Sequence, residues 1–219
     1  MSFQYGTICE SGLAFFGKVS STACHELKNV LAIISENNGL LEDMTFMAQK
    51  GRPIEPERLG RACANIAKQI HRADEILKNI SLFAHSLDQL EDSIDLADCC
   101  HLVVFLARRL TAAKKLTVEV EAGNGAARLA SGNLFLVENL IWTALLEAMH
   151  FCGDGGVMRL SLSKSDDGKP MIAFCGLDHL DEKLSPVSPL AELLASVPAR
   201  WEIHSADQRC ELVFTGCEG

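Results

Sequence analysis

The 219-residue chain lacks the features of a nucleic-acid-binding, membrane-spanning or exported protein. Its 20 Lys and Arg residues against 29 Asp and Glu give a net charge of -9 at pH 7. It therefore has no excess of the positive charge that duplex nucleic acid or anionic lipid requires. No apolar run approaches the roughly 20 residues of a membrane helix. The N-terminus has no basic start followed by a long apolar stretch. We expect a cytoplasmic protein whose partners include neither nucleic acid nor a membrane.

The cysteines lack the pattern of a disulfide scaffold or a zinc site. There are nine, an odd number, and no two of them form a CxxC pair. Free cysteine behaves as a small apolar residue. We therefore expect reduced thiols within an apolar core, in a reducing compartment, and no structural metal.

The first part of the sequence predicts two long helices. Residues 12–49 contain no proline, residues 51–53 (GRP) interrupt the helical pattern, and Pro56 suits the first turn of a second helix. Apolar residues spaced alternately by three and four mark a seam on each helix. The seam positions are Leu27, Leu31, Ile34, Asn38 and Leu41, then Leu59, Cys63, Ile66, Ile70, Ala73, Leu77, Ile80, Ala84 and Leu87.

Two helices joined by a short loop form an antiparallel hairpin, which alone has too little core. Apolar residues beside the seams, such as Val30, Ile33, Ile76 and Phe83, widen the apolar face. Pairing two hairpins in a four-helix bundle would bury this face. We therefore expect a homodimer.

The pattern changes near residue 90 and predicts a second domain of the α+β class, with helices on one face of a sheet. We place the boundary so that residues 1–92 form the hairpin domain and residues 93–219 the second domain. The predicted helices are 96–112, 133–151 and 189–196, and the predicted strands are 116–122, 127–131, 157–163, 170–176, 200–205 and 210–215.

The first helix carries a candidate chemical site. His25 lies two residues before the seam position Leu27, so its ring should face solvent, with Asn29 one turn further on and Glu26 beside it. An imidazole next to a carboxylate can act as a phosphoryl acceptor, because the carboxylate can hold or take the proton of one ring nitrogen. A carboxamide one turn away can orient a water. An exposed His beside a Glu is also common on helices that have no chemical role.

The sequence HELKNVLAII, within a dimerising helical hairpin, resembles the H-box of two-component histidine kinases. The resemblance extends over nearly the whole chain and implies a hairpin followed by an α/β sandwich like the ATPase domain of those kinases. It implies that His25 is the phosphoacceptor, that Glu26 is the general acid or base, and that Asn29 positions water or the phosphoryl group. The E-x-x-N of Glu26 and Asn29 is similar to that of kinases that also dephosphorylate their response regulators. The receiver domain would contact Lys28, Ala32, Ile33 and Glu36.

The second domain departs from that family at its nucleotide site. Thr143 and Glu147 stand where the family has two asparagines, one of which holds Mg²⁺. Glu147 is a weak Mg²⁺ candidate, and a helix-surface or capping charge is the alternative that we favour. The family's DxGxG segment is reduced to Gly176, with Phe174 or Cys175 at the Asp position, and neither can pair with adenine as a carboxylate does. We expect no ATP cofactor, and any Mg²⁺ would come from the partner receiver domain.

These features predict a histidine phosphotransferase of a bacterial phosphorelay. It would accept a phosphoryl group from a receiver-domain Asp at His25 and pass it on without ATP. The alternatives are a response-regulator phosphatase, a non-catalytic dimeric adaptor and an ATP-dependent histidine kinase with an unusual nucleotide site. The DxGxG segment keeps only Gly176, and no second glycine-rich loop for a triphosphate follows it, which argues against the kinase. Nothing in the sequence separates the transferase from the phosphatase.

Overall fold

The computed structural model describes residues 2–87, 90–122, 127–178, 180 and 188–216. Within these residues there are five α-helices, α1 (Ser2–Gln49), α2 (Pro56–His85), α3 (Leu96–Ala113), α4 (Leu134–Ala148) and α5 (Ser188–Leu194), and a 3-10 turn at Met149–Phe151. The strands are β1 (Leu90–Glu91), β2 (Ile94–Asp95), β3 (Thr117–Ala122), β4 (Arg128–Leu129), β5 (Gly132–Asn133), β6 (Val157–Lys164), β7 (Pro170–Cys175), β8 (Ala199–His204) and β9 (Arg209–Phe214). The chain divides into two compact units, residues 20–82 and residues 1–19 with 83–219.

Residues 20–82 form the antiparallel hairpin of α1 and α2 that the sequence predicts. Two contacts between the helices fix the antiparallel direction. Arg72 lies 3.7 Å from Glu26, and Asn65 donates a hydrogen bond of 3.4 Å to Asn37. Gly51, with φ +82°, permits the sharp turn between the helices.

The seam that we predicted is not the face on which the two helices meet. The fully buried apolar residues of the hairpin include Val30, Ala62 and Ile76, which are at most 2% exposed. Most of the predicted seam lies outside this contact: Leu31 is 63% exposed, Leu59 40%, Ile70 48% and Leu77 53%. Val30 and Ile76, which we expected only to widen the apolar face, thus lie where the two helices meet. Smaller and β-branched residues permit the helices to approach closely. The stripe formed by Leu31, Leu59, Ile70 and Leu77, called the leucine-rich stripe below, is left on the surface.

The second unit is built on a five-stranded sheet in the order β3-β6-β7-β9-β8. β3 and β6 are parallel, and every other pair in this sheet is antiparallel. Alternate residues of β6 are buried, as expected for a strand that covers a core with one face. β7 and β9 are buried at consecutive positions, so both of their faces are largely covered. β1 pairs with β5 and β2 pairs with β4 in two short ladders.

Helices α3 and α4 share one core with this sheet. Each begins at a capping residue: Asp95 Oδ1 accepts from Ala97 N at 2.9 Å, and Asn133 Oδ1 accepts from Leu136 N at 3.0 Å. α4 is apolar on nearly all sides, since its residues 137–145 are all buried. We expected no apolar run near the length of a membrane helix, but Leu134–Phe151, which is α4 with the following 3-10 turn, is one described stretch that is long and apolar enough to cross a membrane. Of this stretch, 56% is buried inside the chain.

Residues 2–19 of α1 belong to the second unit, whereas we predicted a division at residue 92. Phe15 is 2% exposed and its ring centroid lies 5.0 Å from Phe83, 5.6 Å from Phe135 and 5.2 Å from Trp142. Burying these rings together stabilises the contact. The aromatic cluster therefore places the start of α1 on α4.

The α+β class and the order of elements are confirmed. The predicted strands at 157–163, 170–176, 200–205 and 210–215 each match an observed strand to within a residue or so at either end. The two-residue strands β1 and β2 were not predicted, because so short a pairing leaves no alternation in the sequence.

Candidate functional site

The ring of His25 is exposed on α1, as predicted. Its Nδ1 lies 3.3 Å from Nδ2 of Asn29, one turn further along the helix and also exposed. Residues four apart lie above one another on a helix face, so this pairing follows from the sequence spacing. The structure thus brings together two of the three residues that we expected to carry the chemistry.

The third, Glu26, faces a different way. It is 7% exposed, and its Oε2 lies 3.7 Å from Nη2 of Arg72 on α2. Glu26 is next to His25 in the sequence, as stated above, but successive helical residues point about 100° apart, so its side chain faces α2 while the ring of His25 is exposed. Arg72 was not singled out from the sequence. The antiparallel register about the turn would have placed it opposite Glu26.

Three of the four residues expected to contact a receiver domain are exposed, namely Lys28, Ala32 and Glu36. Ile33 is half-buried rather than exposed, since it borders the packed stripe of the hairpin. The surface that remains around His25 is therefore polar, with Ala32 as its small apolar contribution.

Helix α4 carries Thr143 and Glu147, the two residues that we expected at the positions of the family's asparagines. Thr143 is 9% exposed, and its Oγ1 donates to the carbonyl oxygen of Asn139 at 2.8 Å. Glu147 is 8% exposed, so our preferred interpretation of Glu147 as a helix-surface or capping charge is wrong. Asn139, in turn, donates from Nδ2 to Ser11 Oγ at 3.2 Å. The polar groups on this side of α4 are thus largely occupied by contacts within the chain.

The backbone at the end of β7 explains why a glycine stands at position 176. Gly176 has φ +82°, and a Cβ there would lie 2.3 Å from the carbonyl oxygen of Val157. Phe174 is fully buried in the core. Asp178 accepts at Oδ2 a hydrogen bond from Gly153 N at 3.4 Å. The glycine is therefore required by the close approach of β6, and the carboxylate nearest to it closes a loop of the fold.

A groove of about 540 Å³ runs beside Thr143 and Glu147. Its charged lining consists of the carboxylates of Glu10, Glu147 and Glu192 against the ammonium of Lys18. A triphosphate in this groove would meet more negative than positive charge. Between Gly176 and α5, residue 179 and residues 181–187 lie outside the described part of the chain.

One described group of side chains has donors near enough to share a metal ion. Glu202, His204 and Glu211, on β8 and β9, place one ligand atom each within 4.8 Å of one another. Arginines already pair with both carboxylates, since Arg200 contacts Glu202 and Arg209 Nε lies 2.9 Å from Glu211 Oε1. We assign no metal here, because a cation would have to displace these pairs.

The cysteines fulfil the expectation of unpaired thiols in part. All seven that the structure describes are free: Cys99, Cys100, Cys152 and Cys210 are buried, Cys175 is half-buried, and Cys24 and Cys63 are exposed. The exposed pair contradicts the expectation of core thiols. Both lie on the hairpin, where few positions are buried. The side chains of Cys9 and Cys217 are outside the described part.

No protein-family model and no curated protein sequence matches the chain. Among solved structures, a bacterial phosphotransferase is 16% identical with a TM-score of 0.46, covering 92% of this chain and 95% of its own. The Acinetobacter baumannii histidine kinase AdeS is 12% identical with a TM-score of 0.42, covering 86% and 95%. The catalytic domain of the histidine kinase ThkA is 10% identical with a TM-score of 0.45, covering 57% and 94%.

These structural neighbours are histidine kinase domains and a phosphotransferase. At these identities and TM-scores, the likeness says nothing about which reaction this chain performs.

Proposed function

We propose that the chain is a dimeric histidine phosphotransferase of a two-component phosphorelay, acting in the cytoplasm. His25 would take a phosphoryl group from the aspartyl phosphate of one receiver domain and deliver it to the Asp of another. The single observation that carries this proposal is the exposed ring of His25, held at Nδ1 by Asn29, within an H-box-like sequence on a helical hairpin.

Each transfer needs only the groups that a receiver and this hairpin supply. A ring nitrogen of His25 attacks the phosphorus, an N–P bond forms, and the P–O bond to the receiver Asp breaks with its electron pair returning to the carboxylate. Any Mg²⁺ would be the receiver's. Glu26 is the proposed acid–base residue, and in that role its carboxylate must turn from Arg72 towards the ring. Lys28, Ala32, Ile33 and Glu36 would contact the receiver.

The proposal excludes ATP as the phosphoryl source. Thr143 donates its hydroxyl to the chain itself, Phe174 occupies the core where the family has an adenine-binding Asp, and the adjoining groove is lined by three carboxylates. The second unit would then serve as an interaction module for the receiver.

The homodimer is proposed from the leucine-rich stripe. Leu31, Ile70 and Leu77 are each about half exposed or more and follow the three-and-four spacing of a helix-packing seam. A second hairpin packed on this stripe would bury them in a four-helix bundle.

The test uses receiver domains charged with acetyl phosphate and labelled on phosphorus. We expect label to move to the wild-type chain and to a His71→Ala variant, which removes another exposed histidine of the hairpin, but not to His25→Ala. Label that appears from Mg-ATP alone would show a live kinase and refute the proposal. Transfer that survives in His25→Ala would also refute it.

A response-regulator phosphatase is the second candidate, favoured by the position of Asn29 beside the ring. A carboxamide there can orient a water towards an aspartyl phosphate. In the same assay a phosphatase would release inorganic phosphate from the receiver without labelling His25, and Asn29→Ala would abolish this release. Loss of signalling only on changing the hairpin surface, with neither transfer nor release, would indicate an adaptor.

A further inference from the structure

The side chain of Asn29 faces Nδ1 of His25, and its Nδ2 lies 3.3 Å from that nitrogen. We propose that Asn29 is a positioning residue that controls where the ring proton resides. Its amide would turn by half a rotation to accept from Nδ1–H or to donate to a bare Nδ1. This inference rests on the proposed function and adds to it the means by which the phosphoryl group is held or released.

Acceptance of a phosphoryl group requires the proton on Nδ1. A neutral imidazole carries one N–H, and since Nδ1 faces Asn29, Nε2 is the nitrogen left to attack. Nε2 has a lone pair only when the proton is on Nδ1, where Oδ1 of Asn29 can accept it. As the N–P bond forms and the P–O bond to the receiver Asp breaks, the ring becomes cationic, and its Nδ1 proton then passes to Glu26, the proposed acid–base residue, once that carboxylate has turned from Arg72 towards the ring.

Retention of the phosphoryl group requires the opposite arrangement. The neutral phosphorylated ring has a bare lone pair on Nδ1, to which the amide Nδ2–H of Asn29 can donate, as in the orientation that the structure has. Reprotonation of Nδ1 turns the ring into a better leaving group and favours onward transfer. Amide nitrogen and oxygen are nearly the same size, so both states are satisfied in one site.

A carboxylate in place of this amide would satisfy only one of the two states. It accepts hydrogen bonds and cannot donate them, so Asn29→Asp would hold the proton on Nδ1 throughout. The other charged or titratable side chains at this level of the hairpin stay constant between variants. They are Glu26 and Lys28 on α1 and His71, Arg72, Asp74 and Glu75 on α2.

The test needs no receiver domain. His25 is phosphorylated chemically with phosphoramidate in the full chain, and the loss of its phosphorus NMR signal is followed against pH. We expect Asn29→Asp to move the pH–rate profile upward by about one pH unit, so that the phosphoryl group is lost about tenfold faster on its falling limb. Ser35→Asp, which adds the same charge to the exposed face of α1 about ten residues away, should leave the profile within about twofold of the wild type.

A second measurement reports the proton directly. The ring-nitrogen chemical shifts of His25 in the unphosphorylated chain should show the Nδ1–H tautomer enriched in Asn29→Asp relative to wild type and Ser35→Asp. Unchanged shifts, or a pH–rate profile of Asn29→Asp equal to that of Ser35→Asp, would overturn the inference. Both readouts are independent of transfer from a receiver, so a failure of the proposed function would show separately, in the receiver assay.

Discussion

The hairpin and the second unit differ in net charge and in how many large apolar side chains they expose. Residues 20–82 contain eight acidic and eight basic side chains, so the net charge of -9 belongs entirely to the rest of the chain. Nine of the thirteen large apolar side chains that are exposed in the described residues lie on this hairpin. A neutral surface with exposed leucines is one that other chains can cover, whereas the second unit buries its apolar residues in its own core.

The two units also differ in what their polar side chains contact. On the hairpin, polar groups such as His25 and Asn29 are exposed and pair with each other. In the second unit, Phe174 is fully buried and the hydroxyl of Thr143 donates a hydrogen bond within the chain.

Breaking the leucine-rich stripe should have the largest effect. Leu77→Lys places a charge on the proposed dimer seam, and we expect the dimer dissociation constant to rise by about 100-fold or more. Analytical ultracentrifugation over a concentration series measures this. Val157→Lys, at an exposed apolar position of the second unit, is the matched control and should leave the association state unchanged. A wild-type chain that sediments as a monomer would contradict the dimer itself.

Substitution of Gly176, at the end of β7, tests whether the fold requires a glycine at this position. Gly176→Ala would combine a positive φ with a Cβ 2.3 Å from a carbonyl oxygen, and we expect the free energy of unfolding to fall by about 3 kcal/mol or more. Gly168→Ala, at φ +76° but with open space around it, should cost about 1 kcal/mol. Denaturant unfolding compares the two. Equal losses would show that the approach of β6 does not determine this position.

A buried carboxyl gives the second unit a pH dependence. Glu138 is 2% exposed with one carboxylate oxygen lacking a hydrogen-bond partner, and burial raises its pKa from 4.5 to about 7. Since the folded chain keeps this proton and the unfolded chain releases it, stability is full below pH 4.5 and declines as the pH rises through about 7.

We expect Glu138→Gln to remove this decline and to stabilise the fold at about pH 8 by about 1–3 kcal/mol. Thermal unfolding across the pH range measures the effect. Glu119→Gln, at a half-exposed carboxylate on β3, is the control and should keep the wild-type pH dependence. A Glu138→Gln variant that parallels the wild type at every pH would contradict a buried protonated carboxyl.

The smallest expected effect concerns the pair of Glu26 and Arg72. Glu26→Gln and Arg72→Gln should each lower the free energy of unfolding by about 0.5–1 kcal/mol, because Arg72 is half exposed and solvent screens the pair. Only Glu26→Gln should also slow phosphoryl transfer, since it removes the proposed acid–base group. An equal slowing in Arg72→Gln would assign Glu26 to the hairpin's packing instead.

Periodicity predicted β6 because its alternate residues are buried, and continuous apolar runs marked α4 and β7, which are buried on more than one face. Periodicity alone was not enough for the hairpin. It failed at the α1–α2 contact, since two apolar stripes share those helices and sequence spacing cannot say which one faces the partner helix. The pairing of His25 with Asn29 follows from helical spacing. The contact of Glu26 with Arg72, and the aromatic cluster that draws Phe15 to α4, depend on tertiary packing that spacing does not encode.

Mapping the phosphorylated atom tests the central claim most directly. After incubation with an acetyl-phosphate-charged receiver and no ATP, the chain should carry its phosphoryl group on Nε2 of His25, as read by phosphorus NMR and by peptide mapping at neutral pH. A chain that stays unphosphorylated with every receiver, or one that is phosphorylated on another histidine, would contradict the account.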